Sequence, residues 1–203
     1  MRRRGQSQAP RATRSEGHAV FLVGFMGAGK TSVGRILGRQ LNWTFEDLDN
    51  RVEQRERRTV PEIFRESGEK EFRRAEHDAL RTVLQEIACG AVKVVALGGG
   101  AFVQQDNADL LGTFGVPTVF LDAPVAELWR RCSKQADQSG AQRPLLQSME
   151  QFSRLYEIRR KIYSRASLSV QTEDRNLEEI ASEIARVLAL KKVDVRVEQG
   201  EVE

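Results

Sequence analysis

Gly24-Phe25-Met26-Gly27-Ala28-Gly29-Lys30-Thr31 fits G-x-x-x-x-G-K-[ST], a pattern that has physical meaning only between a strand and a helix. The apolar run Ala19–Val23 precedes it. Val33, Ile36, Leu37 and Leu41 follow it at helical spacing, so both halves of the required setting are present. In such a loop the glycines let the backbone wrap a phosphate with inward N–H groups, and the following helix adds the positive end of its dipole. The lysine reaches the β- and γ-phosphates, and the hydroxyl after it ligates Mg²⁺. Gly27, Ala28, Gly29, Lys30, Thr31 and Ser32 are therefore the expected nucleotide contacts, with Thr31 also on the metal.

Two more short apolar runs, Val92–Leu97 and Val116–Leu121, read as strands buried on both faces. Trp43–Asp49 and Ser167–Thr172 are weaker strand candidates. Helical stripes lie between them: Phe72, Ala79, Leu80, Val83 and Ile87, and then Leu177, Ile180, Ala181, Ile184 and Leu188 behind an N-cap at Asn176. Thr59-Val60-Pro61-Glu62 reads as a capping box that opens a short helix. Alternation of strand and helix implies an α/β fold on a parallel sheet. Gln135–Gln142 is polar, contains Gly140 and reads as a mobile loop.

At 203 residues the chain is one domain's worth of sequence. The net charge of +3 is misleading, because residues 1–17 contribute +4 of it (five arginines against Glu16), which leaves −1 for the rest. The basic character thus belongs to a tail, and a nucleic-acid partner is not expected. Residues 1–17 are expected to be disordered, 18–190 to form the domain, and 191–203 to fray. No apolar run reaches the roughly 18 residues of a membrane span. Cys89 and Cys132 have no metal-ligand spacing and are expected to be reduced thiols of a cytoplasmic protein.

The base-reading N-K-x-D of GTPases is absent, and Gly98-Gly99-Gly100 stands where many motor ATPases carry an acidic pair. Transfer to a small acceptor is the better reading. Asp47 and Asp49 flank Leu48 near the end of a candidate strand. Either both carboxylates share one face there, one for Mg²⁺ and one for a substrate hydroxyl, or they cap the next helix. At about 100° per residue from Phe152, Arg159 falls at about −20°, amid Leu155, Tyr156, Ile162 and Tyr163. A guanidinium on an apolar face needs an anion, supplied by a ligand or by an internal salt bridge. Arg73 lies at the edge of its own stripe, with Glu76 at i+3 to hold it. Three glycines at 98–100 let a backbone approach a ligand closely. Arg143-Pro144-Leu145-Leu146 follows the polar loop, and its arginine can swing over a transferring phosphoryl. His18 and His77 receive no role.

Taken in order, Gly24–Thr31, Asp47-x-Asp49, Glu71-Phe72-Arg73-Arg74-Ala75-Glu76, Leu97-Gly98-Gly99-Gly100-Ala101 and Arg143-Pro144-Leu145-Leu146 resemble the shikimate kinases. The resemblance implies a five-stranded parallel sheet in the order 2-3-1-4-5 with a lid, here at about 134–150. It also implies transfer of the ATP γ-phosphoryl to the 3-hydroxyl of shikimate by a monomer. Carried over by position, it assigns Asp49, Arg73, Gly98, Gly99, Gly100 and Arg159 to shikimate. Thr31 and Asp47 fall to magnesium, Lys30 and Arg143 to the transferring phosphoryl, and Arg131 to the adenine. Lys161 stands where the family often has proline between Arg159 and Tyr163, and the stretch from Arg131 to Arg143 is longer than in compact members. Two other readings fit the fold: a ligand-sensing module without turnover, and a kinase of another hydroxy acid such as gluconate.

Overall fold

The computed structural model describes residues 19–139 and 148–193. Its elements are β1 (Ala19–Val23), α1 (Lys30–Leu41), β2 (Thr44–Asp47), α2 (Leu48–Glu56), α3 (Val60–Ala88), β3 (Lys93–Ala96), a 3₁₀ turn (Ala101–Val103), α4 (Gln105–Phe114), β4 (Thr118–Asp122), α5 (Val125–Ser139), α6 (Met149–Tyr163), β5 (Leu168–Gln171) and α7 (Leu177–Val187). The five strands are all parallel, in the order β2-β3-β1-β4-β5. The three central strands are buried along their whole length and the two edge strands only in part. That explains why the centre read as unbroken apolar sequence and the edges did not. Lys93, Thr118 and Asp122 are the polar exceptions in the centre. The Lys93 ammonium is neutralised by Glu46 and by Glu86, the latter at 2.6 Å.

Helix boundaries follow local chemistry. Thr59 and Glu62 form the capping box, and Asn176 caps α7 through the Glu178 N–H at 2.9 Å. The short helix expected after Thr59 is the first segment of a longer one. Gly68, at φ 79° and ψ 174°, breaks the helical path within α3, a conformation open to glycine and strained for other residues.

Three expectations need correction. Asp49 is not on the strand: β2 ends at Asp47, whose side chain caps α2, so the two carboxylates leave from different elements. The polar stretch from 135 does not leave the helix at once, because α5 continues to Ser139. Polar composition misled here, since a polar stretch can continue a helix as well as form a loop. Of the expected lid, 134–139 are helical and Ser148 caps α6, while 140–147 lie outside the described residues, as do the tail at 1–17 and residues 194–203. Finally, residues 191–193 are tied to the body. Trp43 Nε1 donates to the Lys191 carbonyl at 3.0 Å, Asn42 Nδ2 donates to the Val193 carbonyl at 2.9 Å, and the Val193 N–H donates to the Leu41 carbonyl at 2.9 Å. Those bonds go to backbone atoms, which residue type does not reveal. Trp43→Phe, which keeps the ring buried and loses the indole donor, should lower stability by about 1 kcal/mol. The matching fall in melting temperature is about 2–4 °C for a chain of this size, measurable by thermal or urea unfolding.

Candidate active site

The phosphate loop leaves β1 and enters α1 at the carboxyl end of the sheet, the side where ligands bind in parallel α/β folds. A side chain on Gly24 would meet the Leu121 carbonyl at 2.7 Å, and one on Gly27 would meet Cys132 Sγ at 2.9 Å, so β4 and α5 press the loop from behind. Phe25, inside the loop, is fully buried and meets the rings of Phe152 and Tyr156 edge-on at 5.0 and 5.6 Å between centroids. Ala28 is buried and Ser32 exposed. Lys30 Nζ donates to the carbonyls of Gly24 and Phe25 at 2.9 and 3.0 Å. Burial pushes its pKa down, while the charges of Asp49 and Asp47 oppose that shift.

Asp47 serves two neighbours. Its Oδ1 accepts the Asp49 N–H at 3.1 Å and its Oδ2 accepts the Thr31 hydroxyl at 3.0 Å. The capping alternative is therefore correct for Asp47, and it coexists with the position expected of a metal-side carboxylate. Asp49, in the first turn of α2, faces the glycine run, and a side chain on Gly98 would collide with its carboxylate. Asp49 Oδ1 is buried and has no hydrogen-bond partner among the described residues. Burial and the nearby Asp47 charge push its pKa up to about 6, against the pull of Lys30.

Across the pocket, Arg73 pairs with Glu76 at 2.9 Å and with Glu69 at 3.1 Å. Glu76 is wholly buried with Oε1 unpartnered, and burial pushes it up to about 7 despite Arg73. The Arg73 guanidinium fills the space beside Gly100, 2.6 Å from where a Cβ would stand. Arg159 comes from α6. Its Nη1 donates to the Gly99 carbonyl at 3.3 Å and its guanidinium lies 5.9 Å from the centre of the Phe25 ring. No acidic side chain pairs with it among the described residues, so the internal salt-bridge reading does not hold. Lys161 is exposed on an unbroken α6, so lysine at the expected proline position leaves Arg159 and Tyr163 in place. Arg131 lies beside the phosphate loop, donating to the carbonyls of Thr172 and Gly27 at 2.9 and 3.4 Å and pairing with Glu127 at 2.7 Å. Arg143 is outside the described residues.

Lys30, Thr31, Asp47, Asp49, Arg73, Gly98–Gly100 and Arg159 thus converge at the carboxyl end of the sheet. Sequence reasoning gave no role to Phe25 or Asp122, and placed Tyr163 only on an apolar stripe and as a match to the family's tyrosine after Arg159. Asp122 accepts hydrogen bonds from Tyr156 at 2.7 Å and from Arg160 at 2.8 Å, fixing α6 to β4. A buried aspartate closing a strand, with an arginine on a later helix, was the only available signal. His77 contacts Asn107 at 2.7 Å, and Asn107 donates to the Ala101 carbonyl at 3.0 Å, a brace under the glycine run.

A phosphate loop after the first strand, a half-buried lysine within it and a glycine run after β3 faced by Asp49, Arg73 and Arg159 define a P-loop kinase of small molecules. The family model described as shikimate kinase matches residues 26–189. Shikimate kinase of Geobacter metallireducens is 38% identical over 172 residues, 83% of this chain and 90% of that protein. The enzyme of Oceanobacillus iheyensis is 36% identical over 174 residues, 85% and 90% of the two chains. A solved structure of Acinetobacter baumannii shikimate kinase in complex with shikimate superposes with a TM-score of 0.75 at 31% identity, covering 86% of this chain and 94% of that one. The chain belongs to the shikimate kinase family. It is an ATP-dependent phosphotransferase with an alcohol as acceptor.

Asp49 ionises at a higher pH in the fold than in the unfolded chain, where it does so near pH 3.9. Its burial therefore costs nothing below about pH 4, and the cost grows as pH rises, becoming full above about pH 6. Asp49→Asn should accordingly be more stable than the parent at pH 7.5, by on the order of 1–2 kcal/mol, while losing turnover. The gain should shrink to nothing near pH 4, as followed by urea unfolding at both pH values. Equal stabilities at pH 7.5 would contradict it.

Proposed function

We propose that the protein transfers the γ-phosphoryl of ATP to the 3-hydroxyl of shikimate. The observation that carries this is the convergence of two cations and one base on a single glycine turn. Arg73 lies over Gly100, Arg159 reaches Gly99, and Asp49 lies against Gly98. Two guanidinium groups suit a substrate carboxylate, which accepts bidentate hydrogen bonds. The unpartnered oxygen of Asp49 suits a hydroxyl proton. An acid that carries both groups on a small ring matches that spacing, and the acceptor named for the Acinetobacter baumannii complex is such a compound.

In this mechanism Arg73, held by Glu76, and Arg159 grip the carboxylate and turn the ring so that the 3-hydroxyl faces Asp49 and the phosphate loop. Asp49 takes the hydroxyl proton as the new O–P bond forms and the bond from the γ-phosphorus to the β-γ bridging oxygen breaks, leaving ADP. Such a transfer leaves little covalent work for a protein, so positioning and charge stabilisation dominate. Lys30 supplies positive charge from the fixed loop side. We assign Arg143 to the lid side on its motif and Arg131 to the adenine. Thr31 Oγ1 and Asp47 Oδ2, 3.0 Å apart, make a hard-oxygen pair that fits Mg²⁺. When bound there, the ion neutralises phosphate charge.

A coupled ADP-release assay over a panel of hydroxy acids tests the substrate. Turnover with shikimate is expected. No release with shikimate and clear release with gluconate or a nucleoside monophosphate would overturn it, and hydrolysis with none of them would favour a sensing module.

Arg159→Ala should weaken shikimate binding by about 2–4 kcal/mol, the usual cost of losing a buried charge-assisted contact, with ATP binding nearly unchanged. Calorimetric titration of each ligand checks this, and an equal loss of both affinities would make Arg159 structural.

A further inference from the structure

Tyr163 occupies the last turn of α6, one turn after Arg159 and on the same face of the helix. It is 1% exposed, and its ring packs against Phe120 of β4 at 5.4 Å between centroids. Its hydroxyl donates to the Gly99 carbonyl, the same oxygen that receives Arg159 Nη1. A carbonyl oxygen has two lone pairs, and here one helix fills both. Burial pushes the Tyr163 pKa up to about 12, so the phenol remains a donor throughout the physiological range.

The consequence follows from the planarity of the peptide. In a trans peptide the carbonyl of Gly99 and the N–H of Gly100 point in opposite directions. Fixing the carbonyl towards α6 therefore turns the Gly100 N–H away from α6. The N–H groups of Gly99 and Gly100 donate to no acceptor among the described residues. The Arg73 guanidinium lies beside Gly100, and the loop atoms Gly24 O and Met26 N lie 3.8 and 3.9 Å from the Gly99 Cβ position. The bonds from the Ala101 N–H to the Gly98 carbonyl and from the Val103 N–H to the Gly100 carbonyl hold the ends of the run, while the Gly99 carbonyl is held from α6 alone, and glycine loses more conformational freedom on ordering than any other residue.

The two donors are unequal in their duties. Arg159 has an open call on its charge, because the acceptor carboxylate competes with Gly99 for it. Tyr163 has no such competitor. We propose that Tyr163 is a positioning residue for the acceptor: it keeps the Gly99–Gly100 peptide oriented, with the free Gly100 N–H towards the substrate, when Arg159 turns from the Gly99 carbonyl to the substrate carboxylate. This rests on the acceptor role of Arg159 proposed above. Without the phenol, Gly99 depends on Arg159 alone, and binding of the carboxylate would leave that carbonyl unsatisfied.

Tyr163→Phe keeps the ring against Phe120 and removes only the donor. Steady-state kinetics should show KM for shikimate raised about tenfold, KM for ATP within twofold of the parent and kcat reduced by no more than a few-fold. In a cycle with Arg159→Lys, the two changes should be non-additive, as expected for groups that share one acceptor. Hydrogen–deuterium exchange of the ligand-free protein should quicken several-fold in peptides covering 98–101 and remain unchanged in α1 and α7. Unchanged exchange at 98–101, an unchanged KM for shikimate, or KM values for both substrates rising together with a fall in melting temperature would each overturn the proposal. Turnover of shikimate by the parent is the control. If the parent fails to use shikimate, the substrate assignment falls, and Tyr163 is then judged on the exchange measurement alone.

Discussion

A half-buried lysine needs oxygen around its ammonium, and the rest of the site is arranged around that need. Lys30 Nζ finds the carbonyls of Gly24 and Phe25 at hydrogen-bond distance, while Asp49 and Asp47 supply negative charge nearby. The two aspartates in turn crowd each other, which is part of why Asp49 holds its proton to a higher pH than a carboxyl in water. The ammonium is costly to bury alone, and the carboxylates are costly to bury together. Each makes the other tolerable, and the balance leaves one Asp49 oxygen without a partner among the described residues.

The same economy of parts joins the nucleotide and acceptor sides. Phe25 belongs to the phosphate loop by sequence but to α6 by packing, since Phe152 and Tyr156 enclose it and Arg159 lies over its ring. Asp122 then ties α6 to the end of β4 through Tyr156 and Arg160. The helix that presents Arg159 is thus registered both to the loop that holds Lys30 and to the sheet beneath. Precision of this kind is what a transfer governed by alignment requires.

Most of the fold was legible in the sequence because its signals are periodic. The runs at Ala19–Val23 and Val116–Leu121 are apolar because both faces of those strands are covered, and the stripe from Phe72 to Ile87 is apolar because one helix face is. The strand order was implied by resemblance and not by pattern. What escaped reading depends on partners distant in sequence. Nothing in Trp43 says that its indole will find the Lys191 carbonyl, and nothing in Tyr163 says that its hydroxyl will find Gly99. Asp49 was placed on a strand because alternation cannot distinguish the last residues of β2 from the first turn of α2, whereas the cap at Asp47 does. Arg159 was the opposite case: its position on an apolar stripe was readable, and the structure gives it a carbonyl and an aromatic face without an acid.

Gly98 and Gly100 mark the acceptor pocket by what they lack. A methyl on Gly98 would occupy the place of the Asp49 carboxylate, and one on Gly100 would occupy that of the Arg73 guanidinium. Neither glycine has a positive φ that would forbid alanine on backbone grounds. Alanine codons lie a single base from glycine codons, so the genetic code offers this replacement readily, and the chain could accept it without any conflict in its own dihedral angles. The penalty would appear in the Asp49 and Arg73 side chains, which would have to move. These two positions are thus specified by empty volume and not by backbone conformation.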